Sequence, residues 1–178
     1  VMISADGDSD EAVAAAGILV SKLSGKILRM DADDLLCPLH EKKGDDTAIA
    51  QCIFGARAVL VLLSQGTLSS LAQVLVILEC MTLLPHNAKS HPLVLSLLLP
   101  GFQFPDPVYY ARVLPTLTPG SSDQSTTYIH TFFNLIAVPL STHASDQILD
   151  VQVADVAVRL LPKATRMLTS GAGPTEQS

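Results

Sequence analysis

The stretch RAVLVLLS, from Arg57 to Ser64, is the part of this 178-residue sequence that decides its fold class. Residues 58–63 are all aliphatic, so the stretch has no polar face. A run of this kind is typical of a strand buried on both sides in the centre of a parallel sheet. Parallel strands are joined by long crossover connections, usually helices, so the surrounding segments are expected to alternate between strands and helices.

The segments on either side show that alternation. We predict strands at 1–5, 26–31, 57–64, 91–99 and 135–140. We predict helices at 11–23, 45–56, 71–84 and 144–161, and a passage from helix to strand within 128–140. A shorter helix is predicted near 109–113, within an otherwise irregular region from 108 to 124. This order predicts an α/β protein with a central parallel five-stranded sheet and helices on both of its faces.

Length and composition indicate a single domain at 1–168 and a tail at 169–178 that we expect to be disordered. Hydrophobic residues make up 48% of the chain and Trp is absent, so the core is expected to consist mainly of aliphatic side chains. The chain opens directly on VMIS, which resembles the middle of a strand. We therefore expect a domain excised from a longer protein.

Charge and cysteine content argue against several classes of function. The net charge is -6 and no basic stripe stands out, which disfavours nucleic acid as a partner. The longest apolar run, Leu71 to Leu84, falls short of the roughly 18 residues that a membrane span needs. Three cysteines without a CxxC pair and five scattered histidines predict a reducing, cytoplasmic compartment, no metal site and no prosthetic group.

Phosphate-binding and receiver-domain motifs are also missing from the sequence. The chain contains neither a P-loop nor a GxGxxG fingerprint after a predicted strand. A receiver domain would carry an aspartate at the end of its third strand, where this chain has Leu63 and Ser64. We interpret Asp6, Asp8 and Asp10 as a solvated, helix-capping loop and not as a receiver's metal site.

The order of three segments resembles TIR (Toll/interleukin-1 receptor-like) domains. These segments are VMIS, KILRMDADDL and AIAQCIFGARAVLVLLSQGTLSS. The residues that match the family pattern are Ser4, Asp31, Leu35, Gly55, Arg57 and Ser64. The phrases GARAVLVLLSQGTL and PGFQFPDP are most similar to NAD-cleaving TIR domains of the axon-degeneration type. The resemblance extends over residues 1–106 and implies a flavodoxin-like TIR fold.

The resemblance also implies a function, hydrolysis of NAD+ to nicotinamide and ADP-ribose or cyclic ADP-ribose. NAD+ would be the substrate, and homotypic TIR–TIR self-association would produce the active oligomer. The family's catalytic glutamate lies on the helix after the third strand, which assigns that role to Glu79. A carboxylate there could stabilise the positive charge that develops on the ribose as the glycosidic bond breaks. The residues assigned to nucleotide binding are Ser4, Ala5, Asp6, Gly7, Asp31, Leu35, Ser64 and Gly66.

Glu79 departs from the family pattern in ways that leave alternatives open. It lacks the preceding Trp-Cys pair and lies about three residues later than is common. If its helix begins near Ser70, Glu79 lies two turns down, roughly 13 Å from the start of the helix. If the helix begins near Gln73, Glu79 lies in the first turns. The alternatives are a helix-edge acid without a role, a non-catalytic TIR adaptor that self-associates, and a flavodoxin-like small-molecule binder.

Overall fold

The computed structural model describes residues 1–26, 46–83, 92–120 and 122–161, which form a parallel sheet and its helices. The strands are β1 (Met2–Ser4), β2 (Ala58–Leu63), β3 (Leu93–Leu98) and β4 (Val138–Pro139). The helices are α1 (Asp10–Lys26), α2 (Asp46–Gly55), α3 (Leu71–Leu83), α4 (Leu114–Leu117), α5 (Ser122–Phe133) and α6 (Asp146–Leu160). A π-helical turn, Tyr109–Val113, leads directly into α4.

The sheet has the strand order β1-β2-β3-β4, and every neighbouring pair is parallel. Its register pairs Ser4 with Val61 and Leu97 with Val138. The α/β class and four of the five predicted strands are thereby confirmed, but the sheet formed by the described residues has four strands, not five. Most of the remaining predicted strand, 27–31, lies outside the described residues, and Lys26 belongs to α1.

The predicted end of α1 at Ser24 and Gly25 was therefore wrong by at least one residue. The hydroxyl of Ser24 donates a hydrogen bond to the carbonyl oxygen of Val20, one turn earlier, at 2.6 Å. A serine bonded back in this way satisfies its hydroxyl inside the helix, so it need not end the helix.

The centre of the sheet is buried on both faces, as the RAVLVLLS stretch predicts. All six residues of β2 are buried. Ala58, Leu60 and Leu62 pack in one core cluster with α1 and α6, while alternate residues pack in a second with α2, α3 and α5. The alternation of side chains along a strand therefore explains why β2 has no polar position.

The region from 108 to 124 is more regular than the sequence predicts. The helical turn near 109–113 is confirmed, but α4 and the start of α5 were expected to be irregular. The Asp106 carboxylate accepts a hydrogen bond from the Tyr109 N–H at 2.8 Å, which supports the start of the π-helical turn. Pro115 lies in the first turn of α4.

Within the described ranges, no helix is both long enough and apolar enough to cross a membrane. The tail expected at 169–178 lies outside these ranges.

Candidate functional site

A cleft of about 430 Å³ opens beyond the carboxyl ends of β1 and β2. The loop after β1 and the loop after β2 supply its lining, which consists of Asp6, Asp8, Ser9, Gln65, Gly66, Ser69 and Ser70. Its volume falls in the range of small-molecule sites, roughly 300–1,000 Å³. Ligands of open parallel sheets bind at this edge, so the cleft is the candidate functional site.

Asp6 is a buried acid at the wall of the cleft, with only 5% of its surface exposed. Its Oδ1 accepts a hydrogen bond from the Asp8 N–H at 3.3 Å, and its carbonyl oxygen accepts one from the Ser9 N–H at 3.2 Å. Its Oδ2 lies against Gly66, where an added Cβ would collide with it. Gly66 therefore allows the loop after β2 to approach the Asp6 carboxylate closely.

Ser4 and Gln73 form a second polar pair between β1 and α3. The Gln73 Nε2 donates a hydrogen bond to the Ser4 Oγ at 2.8 Å, and both residues are 1% exposed. The Gln73 Oε1 is buried and has no hydrogen-bond partner among the described residues. Ser70, one helical turn before Gln73, lines the cleft. Gln73 was not predicted as a partner of Ser4, although it is the one polar residue from Leu71 to Leu78.

Ser64 has a structural role in the turn that follows β2. Its N–H donates a hydrogen bond to the Thr67 Oγ1 at 2.8 Å, and the Thr67 hydroxyl lies 3.3 Å from the Leu62 carbonyl oxygen, to which it donates. Ser64 is fully buried and does not contribute to the lining of the cleft. The turn fixes the path of the chain toward Gly66, so Ser64 affects the cleft indirectly, through the conformation of this loop.

Glu79 lies on α3, two turns beyond the start of that helix at Leu71. Of the two arrangements considered from the sequence, the structure has the one with the early helix start, roughly 12 Å of helix before Glu79. Glu79 is half-buried and is not among the residues that line the cleft. Val76, which lies three residues before Glu79 and so on the same side of α3, is fully buried in the core.

Cys80 is a core thiol, as predicted from the sequence. It is 1% exposed. Burial raises the pKa of the Cys80 thiol to about 12, with a smaller contribution from the neighbouring Glu79 carboxylate. A thiol with this pKa is protonated at neutral pH and is a poor nucleophile.

The other predicted binding residues fall into two groups. Ala5 is partly buried and Gly7 is exposed, and both flank Asp6 in the loop after β1. Asp31 and Leu35 lie outside the described residues. Within the part of the chain that the structure describes, no three His, Cys, Asp or Glu side chains come together as a metal site.

The chemistry of the lining favours some ligand groups over others. Its described residues present two carboxylates, three hydroxyls and one side-chain amide, and none of these residues is Lys or Arg. Carboxylates and hydroxyls bind sugar hydroxyls and stabilise nearby positive charge. The described lining offers no cationic side chain to a phosphate group, so such a group would be held more weakly.

The contact between Asp6 and Gly66 gives a prediction about stability. Gly66→Ala should turn the Asp6 carboxylate away from the Asp8 N–H and lower the free energy of unfolding by about 1–3 kcal/mol. The matched control is Gly17→Ala in α1, where an added Cβ meets nothing within 4 Å. That control should raise the free energy of unfolding by about 0.5–1 kcal/mol. Urea denaturation of both variants measures the difference, and equal effects would contradict the close contact.

The strand order, the helices and the cleft together define an α/β protein with a candidate small-molecule site at the carboxyl edge of a parallel sheet. No protein-family model matches the chain, and a search of curated proteins finds no match. Assignment to the TIR family is therefore a proposal based on sequence motifs.

Proposed function

We propose that this chain is a TIR-like domain that binds NAD+ in the cleft and hydrolyses the bond between nicotinamide and ribose. One observation carries the proposal: the cleft lies at the carboxyl ends of β1 and β2, and Asp6 and Gly66 line it. These are two of the residues that the TIR resemblance assigns to nucleotide binding. The other predicted binding residues and the cytoplasmic location belong to the same proposal.

The strand order supports the fold-level part of the proposal. A flavodoxin-like sheet has the order 2-1-3-4-5, in which the first strand neighbours the third. The described order, β1-β2-β3-β4, is this order with the second strand left out. We therefore propose a flavodoxin-like, five-stranded TIR fold for the complete domain.

The proposed reaction needs a carboxylate and a water molecule but no strong acid. The bond between ribose C1′ and the nicotinamide nitrogen breaks, and its electron pair moves to the nitrogen, which becomes neutral. Positive charge develops on the ribose, where a nearby carboxylate stabilises it. The oxygen of water then bonds to C1′ and its proton passes to solvent, giving nicotinamide and ADP-ribose.

The test is incubation of concentrated protein with NAD+, followed by chromatography of nicotinamide, ADP-ribose and cyclic ADP-ribose. We expect nicotinamide release that rises more than linearly with protein concentration, because TIR enzymes of this type act as assemblies. Folded protein that releases no nicotinamide over a wide range of concentrations would contradict the hydrolase proposal.

The position of Glu79 favours a second candidate, a non-catalytic TIR adaptor that acts by homotypic self-association. The acid assigned to catalysis does not line the cleft, and none of the lining residues that the structure describes is a cation that could neutralise the NAD+ pyrophosphate. An adaptor should self-associate in light scattering and show no shift in Tm with NAD+. The hydrolase should show an increase in Tm with NAD+, because a ligand that binds the folded state stabilises it.

A further inference from the structure

Three carboxylates are candidates for contact with a ligand near the cleft, and their positions differ. Asp6 and Asp8 line the cleft, whereas Glu79 does not. Asp6 is 5% exposed, and Asp8 is exposed to solvent. An interaction with a buried carboxylate is screened less by water and salt than one at an exposed position. Of the two acids among the described lining residues, Asp6 is therefore the one whose charge is screened less.

The surroundings of Asp6 also fix its orientation. Its Oδ1 accepts the Asp8 N–H, which holds the carboxylate in the loop after β1. Its Oδ2 occupies the space that a side chain at Gly66 would fill, so the close approach of the loop after β2 also holds this oxygen in place. A carboxylate held in this way is preorganised, and a preorganised charge stabilises a transition state without further rearrangement.

We propose that Asp6, and not Glu79, is the carboxylate that contacts the nicotinamide ribose of NAD+ in this protein; the inference rests on the proposed hydrolase function. Asp6 accepts a hydrogen bond from a ribose hydroxyl and stabilises the positive charge that develops at C1′. The electron pair of the broken bond leaves with nicotinamide, water adds to C1′, and the proton of water goes to solvent. In the proposed step Asp6 neither gives nor takes a proton, and it acts as a catalytic residue through the charge of its carboxylate.

The decisive comparison is between Asp6→Asn and Glu79→Gln, with kcat and KM for NAD+ measured separately. Asn keeps an oxygen for the Asp8 N–H, so Asp6→Asn removes the charge and preserves the bond within the loop. Loss of one such electrostatic contact is expected to lower kcat by about 100-fold to 1,000-fold. The loss with Glu79→Gln should be much smaller. Asp123→Asn on the exposed surface of α5 is the matched control and should leave kcat and KM unchanged.

The outcomes separate failure of this inference from failure of the proposed function. A wild-type protein that neither binds nor cleaves NAD+ would overturn both. A wild-type protein that cleaves NAD+, with full activity in Asp6→Asn or the larger loss in Glu79→Gln, would overturn only the assignment to Asp6. The Tm of each variant is measured in parallel. If Asp6→Asn does not fold, Asp6→Ser replaces it, because its hydroxyl oxygen can also accept the bond from the loop.

Discussion

Leu60→Ala is expected to lower the free energy of unfolding by about 2–5 kcal/mol. Leu60 is fully buried near the middle of β2, where it pairs in register with Ile3 of β1 and Leu95 of β3. Its side chain packs in the core cluster that α1 and α6 share with this face of the sheet. The smaller side chain would leave a cavity that neighbours on two strands and two helices cannot easily close.

The measurement is equilibrium denaturation in urea, with Leu93→Ala as the matched control. Leu93 begins β3 and is 41% exposed, so the same truncation leaves no enclosed cavity there. The control should cost less than about 1 kcal/mol. Since small domains are stable by only about 5–15 kcal/mol, the difference between the two variants is easily measured. Similar losses at both positions would contradict the central place of β2 in the core.

Stability should also fall steeply above pH 9, because Cys80 is buried in its protonated form. Burial raises the pKa of the Cys80 thiol from 9.0 to about 12. Its stabilising contribution is therefore fully present below pH 9 and is lost as the pH rises toward 12. The unfolded state loses the proton first, so each pH unit in this window lowers the free energy of unfolding by about 1.4 kcal/mol. Over the whole window the expected loss is about 4 kcal/mol.

The loss of stability that Cys80 causes is best measured between pH 9 and 10, below the range in which buried tyrosine contributes most. Burial also raises the pKa of Tyr109, from 10.0 to about 12, and the pKa of Tyr110, so both tyrosines add a loss of the same sign, mainly above pH 10. Cys80→Ala should remove most of the slope between pH 9 and 10 in urea titrations. Cys52→Ala, at a half-buried thiol on α2, is the control and should keep the slope of the wild type. A slope unchanged by Cys80→Ala would show that another group causes it.

The sheet could be predicted from the sequence because its signal is local and strong. The run from 58 to 63 is aliphatic on both faces of the strand. A strand covered on both sides by other parts of the protein explains this pattern. The TIR resemblance named Ser4, Asp6 and Gly66, which lie at or just beyond the carboxyl ends of β1 and β2. Asp6 and Gly66 line the cleft, and Ser4, two residues before Asp6, is hydrogen-bonded to Gln73.

Other features depend on contacts that the sequence does not reveal. The distance of Glu79 from the start of α3 depends on which residue begins that helix. A sequence-based prediction places helix ends only to within several residues. The pair formed by Ser4 and Gln73 joins residues 69 positions apart. The role of Ser64 depends on its hydrogen bond with Thr67. From the sequence alone, a serine at the end of a strand could equally contact a ligand.

Titration of isotope-labelled protein with NAD+, followed by amide chemical shifts in NMR, tests most directly that the cleft is the nucleotide site. Spectra are taken before appreciable turnover, so the signals report binding. We expect the largest shifts at Asp6, Gly66 and Ser70, with small changes on the outer face of α6. An unchanged spectrum at high NAD+ concentration, or shifts confined to residues remote from the two loops, would contradict the account.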